Sequence, residues 1–238
     1  MFKMVSAFLF IVGGFLFLIA KPTQVDACKE TDLSRHVPIP PYEVESKREV
    51  FGLCEVIISI GGELIPVYAG RNFIIAGEMF SKREQITQKQ MQKVREKFIK
   101  KRLSLIETLE YVSYKPEKAK GYFYFVSDPD CPYCERAKAK VKELADKYRW
   151  EIRLIWYPLP FHKEAKPKAI AHLCENKTYE DYLKNDYGKK QCERGKASVE
   201  KNLRVLSSIV RGTPTFIFPD GEVVAGLNLK KLERVLAR

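Results

Sequence analysis

Cys131-Pro132-Tyr133-Cys134 stands between a run of strand-forming residues, Gly121 to Val126, and an amphipathic helical stretch that runs from Pro132 to Tyr148. No other feature constrains the fold as strongly, because it requires a strand that delivers two thiols to the first turn of a helix. A helix N-terminus presents unsatisfied backbone N–H groups and partial positive charge, and both favour a thiolate at Cys131. Cys131 is therefore the predicted nucleophile, with a pKa lowered into the roughly 3.5–7.5 range of such motifs. Cys134 lies one turn further on, where it can attack a mixed disulfide formed at Cys131, and is the predicted resolving thiol. Half of a zinc site is the competing reading, but no second cysteine pair at short spacing accompanies this one, and Cys174 and Cys192 are 18 positions apart. His36, His162 and His172 fall in unrelated contexts and form no metal spacing, so they are assigned surface or packing roles, and neither a metal nor a cofactor is expected.

The amino terminus bears on the redox compartment. Lys3 precedes an uncharged run from Met4 to Ala20, and Val25-Asp26-Ala27 offers a small-residue exit, so residues 1–27 read as an export signal. An uncleaved anchor and lipidation at Cys28 are the alternatives, and all three place the chain where disulfides persist. With 42 Lys and Arg against 30 Asp and Glu, the net charge of +12 excludes an acidic protein without identifying a partner.

Residues 28–80 read as a polar leader, Lys29 to Ser46, followed by a small antiparallel sheet built from Val50–Ile60, Leu64–Ala69 and Phe73–Ala76. So small a sheet has one apolar face with little to cover it, which predicts pairing with a second copy. Residues 81–115 read as a long helix, with Ser81/Glu84 and Thr87/Gln90 as candidate capping boxes and an apolar stripe of Met91, Val94, Phe98, Leu105 and Leu109. Between Lys82 and Arg102 nine basic residues oppose Glu84 and Glu96, but no base-stacking aromatics interleave with them, so a solvated linker is preferred to a nucleic-acid face. Residues 116–238 supply strand Gly121–Val126, helix Pro132–Tyr148, strand Glu151–Tyr157 and a helical stretch Glu164–Val210. Strands Thr215–Phe218 and Glu222–Ala225 and a closing helix Leu229–Leu236 follow. The whole is an α+β chain: an N-terminal sheet, a linker helix, and a thioredoxin-like α/β domain with a helical insertion.

Thr213-Pro214 stands just before a β-branched and aromatic strand, where a cis proline would make a tight turn and set a substrate-side wall opposite the dithiol. With the dithiol, this resembles the DsbC/DsbG family of periplasmic thiol:disulfide interchange proteins over nearly the whole chain after residue 27. Further points of resemblance are Ala76-Gly77-Glu78-Met79 after the sheet, Tyr114-Lys115 after the helix, and Ser127-Asp128-Pro129-Asp130 before the dithiol. The resemblance implies a periplasmic homodimer joined through the N-terminal sheets, misoxidised secreted proteins as substrates, and a membrane electron donor of the DsbD type. It also makes Cys131 and Cys134 the redox pair, Pro132-Tyr133 the motif dipeptide, Thr213-Pro214 the cis-proline loop, and Cys174–Cys192 a structural disulfide. A closed loop of that length would add roughly 3 kcal/mol of stability.

Three points stay open on the residues alone. The acidic residue that thioredoxins place six positions before the first cysteine is here Phe125, so the proton of Cys134 needs another partner, and Asp128 is either that partner or a cap for the following helix. Cys28 and Cys54 either bridge each other, pair between protomers, or are unrelated. The leading function is a disulfide isomerase or reductase acting through the dithiol, with a DsbG-like chaperone or reductase and a DsbA-like oxidase as alternatives.

Overall fold

Two-residue periodicity and three glycine-bearing turns build the first sheet. The computed structural model describes residues 27–29 and 31–238, and the expected export signal, apart from Ala27, lies outside the described residues. Strands β1 (Glu43–Val50), β2 (Leu53–Ile60), β3 (Glu63–Ala69) and β4 (Ile74–Ala76) pair antiparallel in that order. The run expected as one strand from Val50 to Ile60 is broken by Phe51-Gly52, both at positive φ (49° and 77°), the backbone twist of a two-residue hairpin turn. The segment read as leader therefore contributes β1, whose charged alternation Glu43, Glu45, Lys47, Glu49 marks an edge strand rather than a coil.

The uncovered apolar face expected for this sheet is absent. Alternation along β2 sends Cys54, Val56 and Ile58 to one side, where Leu33, Ile39, Tyr42 and Cys28 of the leader pack on them together with Val67 and Ala69 of β3. The disulfide Cys28–Cys54 ties that leader down, so of the three fates open for these cysteines the structure shows the mutual bridge, and a sulfur so bonded is not free for a lipid thioether. The other side carries Glu55, Ile57 and Tyr68, all buried. Glu55 receives Arg48 at 2.5 Å and the Tyr68 hydroxyl at 3.0 Å, which offsets the cost of burying its charge.

A two-residue ladder, β5 (Phe80–Ser81) with β6 (Glu84–Gln85), leads into α1 (Ile86–Ile106). The helix is shorter than the span 81–115, and neither capping box forms: Gln85 is the N-cap without a side-chain bond, and the Thr87 hydroxyl instead accepts from the Met79 N–H at 2.6 Å and meets Tyr68. Its buried apolar residues are Val94, Phe98, Ile99 and Ile106, while Leu105 of the anticipated stripe is exposed. Several basic residues of α1 are engaged locally, Lys101 with Glu45 at 3.0 Å and Arg102 stacked 3.5 Å over the Phe98 ring. No helix among the described residues is long and apolar enough to cross a membrane.

The second sheet has the order β11-β10-β8-β9-β7, with β8 (Gly121–Ser127) and β9 (Trp150–Trp156) parallel at its centre. Beside them run β10 (Thr215–Ile217), β11 (Val223–Ala225) and β7 (Val112–Tyr114), the last at an edge in a segment expected to be helical. Both faces of β8 are buried, as for a strand covered on two sides. Phe123 and Phe125 face α2 (Pro132–Tyr148) and α6 (Leu229–Leu236), while Tyr124 and Val126 face Phe98 and Ile106 of α1 and Leu206 of α5 (Glu193–Leu206). The helical stretch is three helices, α3 (Ala165–Cys174), α4 (Tyr179–Leu183) and α5, and the disulfide Cys174–Cys192 joins the end of α3 to the start of α5.

The insertion also buries His172, with its ring set edge-on against Trp156 at 5.1 Å. Burial pushes its pKa down to about 4. The unfolded chain then takes up a proton near pH 6.5 that the folded chain refuses until about pH 4, so stability falls as the pH drops through this window. We expect the disulfide-oxidised protein to lose about 1.5 kcal/mol between about pH 6.5 and pH 5 by urea titration beyond the loss in His172→Phe, which keeps the ring contact but does not titrate. Equal losses in the two proteins would contradict this account.

Candidate active site

Strand β8 ends at Ser127, and Cys131 is the N-cap of α2 with Pro132 at its first position, where the missing N–H is not needed. Both cysteines of the dithiol are buried and free, and the Cys131 sulfur lies 3.2 Å from the carbonyl oxygen of Thr213. The Thr213–Pro214 peptide bond is cis and brings that loop against the dithiol from 82 residues away. Cys174 and Cys192 are bonded to each other in the insertion, apart from this centre.

The two thiols are driven in opposite directions. The hydrogen bond from the Cys134 thiol holds Cys131 down to about 5, with Thr213 and the N–H groups of Cys134 and Tyr133 adding to it while burial works against it. Cys134 is pushed far up, chiefly by burial and further by its bond to the Cys131 sulfur. This is the division of labour needed for exchange: one thiol ionised at neutral pH, its neighbour kept protonated until the first is consumed.

Asp128 has neither of the two roles considered for it. Its buried carboxylate accepts from the N–H groups of Asp130 (2.7 Å) and Leu159 (2.6 Å) and is 2.9 Å from Nδ1 of His162. It therefore ties the loop after β9 to the dithiol turn, and its backbone N–H rather than its carboxylate reaches the Cys134 sulfur. His162 has a partner here that its sequence context did not signal. Two aromatic side chains stand exposed on this part of the surface, Tyr133 in the motif and Phe161 in the tied loop.

Two further residues were not legible as site residues. The Ser127 hydroxyl is fully buried and lies 2.8 Å from the hydroxyl of Tyr182 on α4, and it works against the upward push of burial on the Cys134 thiol. Ser127 belongs to the segment before the dithiol, whereas no sequence signal connects Tyr182, 55 positions away, to the thiols.

A family model for a thioredoxin-like domain matches residues 107–237. No curated protein matches the sequence. Among solved structures, the thiol-disulfide exchange protein α-DsbA2 from Wolbachia pipientis superposes with a TM-score of 0.51 at 15% identity, over 62% of this chain and 96% of that one. A linker-deletion mutant of Proteus mirabilis ScsC gives 0.49 at 16% identity, over 63% and 85% of the two chains. Helicobacter pylori DsbG gives 0.39 at 17% identity, over 74% and 93%. At such identities the likeness is one of fold.

Proposed function

Because the chain belongs to the thioredoxin-like domain family and carries a free dithiol at a helix start as a thiol:disulfide oxidoreductase does, we propose that it isomerises or reduces wrong disulfides in exported proteins. The observation that carries this reading is the lowered Cys131 thiol set against the Thr213–Pro214 turn. Cys131 and Cys134 are the catalytic pair, and Thr213 and Pro214 form the wall along which an extended substrate strand lies. The exposed rings of Tyr133 and Phe161 give that strand apolar contacts.

In the first step the Cys131 thiolate attacks one sulfur of a substrate disulfide, forming a mixed disulfide and releasing the other substrate sulfur as thiolate. A second substrate thiol then attacks the bridged substrate cysteine, which completes isomerisation and returns Cys131 as thiolate. Alternatively Cys134 attacks Cys131, the substrate leaves reduced, and the enzyme leaves oxidised and needs a donor of the DsbD type to continue. Two structural disulfides besides the reactive pair favour an oxidising compartment, the periplasm in the family resembled.

We assign residues 28–80 to dimerisation, 81–115 to the linker and 116–238 to catalysis. What favours a homodimer is an edge rather than an uncovered sheet face: Phe73, Ile75 and Phe80 are exposed at and beside β4, one of the two outer strands. The test of function is reactivation of a scrambled multi-disulfide protein by the reduced chain. Recovery that is lost in Cys131→Ser supports the proposal. Failure of the reduced chain, with the oxidised chain instead forming disulfides in a reduced substrate, transfers the assignment to an oxidase.

A further inference from the structure

The tip of the β2–β3 hairpin reaches the segment that leads into the cis proline of the same chain. Gly61-Gly62 turns the hairpin with both φ positive (56° and 85°), and a Cβ at Gly62 would overlap the Cβ of Ser208, so the hairpin backbone lies directly on that residue. Leu64 packs against an apolar cluster that holds Leu206 and Val210 before the proline and Ile217 of β10 after it. Glu63 and Arg211 come within 3.9 Å, an exposed pair that marks the approach and adds little to it. Beyond β10, Gly221 lies so close to the Glu96 carbonyl of α1 that a Cβ there would overlap its oxygen. The stretch bearing Thr213-Pro214 is thus gripped on both sides by parts of the chain outside residues 116–238.

We propose that Gly62 and Leu64 are positioning residues of the dithiol centre: by seating Ser208–Val210 they hold Thr213 and Pro214 against Cys131, an inference that rests on the thiol-exchange reading above. The connection is short and stiff. The N–H groups of Ile209 and Val210 bond to the Leu206 carbonyl at 2.9 and 2.8 Å, which makes this segment one tight turn at the end of α5. Only Arg211 and Gly212 separate it from Thr213, whose carbonyl oxygen is 3.2 Å from the Cys131 sulfur. The Thr215 hydroxyl donates to the Gly212 carbonyl at 2.7 Å, so the loop shifts as a piece rather than flexing.

A shift of about an ångström in a surface that aligns substrate is enough to slow a reaction, because the reacting atoms must meet in a narrow range of geometry. A substrate with a peptide backbone lies along the Thr213-Pro214 wall and feels such a shift, whereas a small disulfide meets only the sulfur. The N-terminal sheet therefore acts on the active site of its own protomer, a task separate from joining two protomers.

The experiment offers the full reduced chain two disulfides that release the same coloured aromatic thiolate. One is the symmetric aromatic disulfide, and the other is a short peptide whose single cysteine is bonded to the aromatic thiol. In Gly62→Ala, release from the peptide should slow by about tenfold and release from the symmetric disulfide by no more than about twofold. Adding Ser208→Gly should return part of the lost rate. Gly61→Ala places a Cβ in the same turn with nothing within 4 Å of it, and both rates should stay near those of the native protein. Leu64→Ala, which leaves the turn unstrained, should slow the peptide by a smaller factor, and it decides the matter if Gly62→Ala does not fold. Peptide release unchanged in Gly62→Ala and Leu64→Ala overturns the positioning role, as does equal slowing in Gly61→Ala or with both disulfides. Failure of the native protein to release thiolate from either disulfide instead overturns the exchange reading, and this inference with it.

Discussion

Alkylation of Cys131 should proceed at a nearly constant rate from about pH 6.5 to about pH 8 and fall to half near pH 5, whereas an ordinary cysteine rises steeply across the same range. The shape rather than the absolute rate is the diagnostic. At about pH 7 the lowered pKa leaves roughly thirtyfold more thiolate than a thiol of pKa about 8.5 would hold, but a less basic sulfur is also less nucleophilic by a similar factor. The two effects nearly cancel there. Near pH 5.5 the thiolate advantage grows to several hundredfold while the nucleophilicity penalty stays fixed, so Cys131 should outpace a reference thiol by about tenfold. Mass spectrometry after a short pulse of alkylating reagent would read this site by site, with Cys134 unlabelled throughout because burial holds it protonated. A rise centred near pH 8.5 at Cys131 would remove the basis for assigning it as nucleophile. The same titration carries a stability consequence for the reduced form. A thiol whose folded pKa is depressed stabilises the fold fully above its unfolded value, and that contribution fades as the pH falls toward about 5.

Removing the Cys28–Cys54 bond should destabilise the N-terminal sheet by about 3 kcal/mol and leave the dithiol chemistry intact. The bond closes a separation of 26 residues, and it pins the segment bearing Leu33, Ile39 and Tyr42 over the apolar side of β2 and β3. Without it the unfolded chain gains freedom, and the leader can lift from a face that then exposes Val56, Ile58 and Val67 to water. The double variant Cys28→Ala/Cys54→Ala should show an earlier urea midpoint and faster proteolytic cleavage between residues 29 and 42, with the pH profile of Cys131 alkylation unchanged. A loss below about 1 kcal/mol would mean that packing alone holds the leader in place.

How much of this could be read along the chain depends on the range of the physics involved. The dithiol helix was legible over Pro132–Tyr148 because a proline at the first position and an apolar repeat are local signals, and the closing helix Leu229–Leu236 was legible for the same reason. Strand β1 was not, since its charged alternation resembles coil until a partner strand supplies the hydrogen bonds, and β7 was merged into a helix because three residues carry too little periodicity to oppose their neighbours. The Cys28–Cys54 bridge stood as one of three options, because spacing alone does not choose among pairings.

The sequence by itself determined the strand and helix that present Cys131 and the local N–H groups that favour its thiolate, since a helix terminus acts on its own first turn whatever surrounds it. Only the tertiary structure decided what stands behind that chemistry: the leader folded over the first sheet, Asp128 joined to His162, and the Ser127 hydroxyl joined to Tyr182. The bridge that holds the leader spans 26 positions and the Ser127–Tyr182 contact 55, and whether such contacts form depends on how whole faces pack, an outcome that no short window of residues contains.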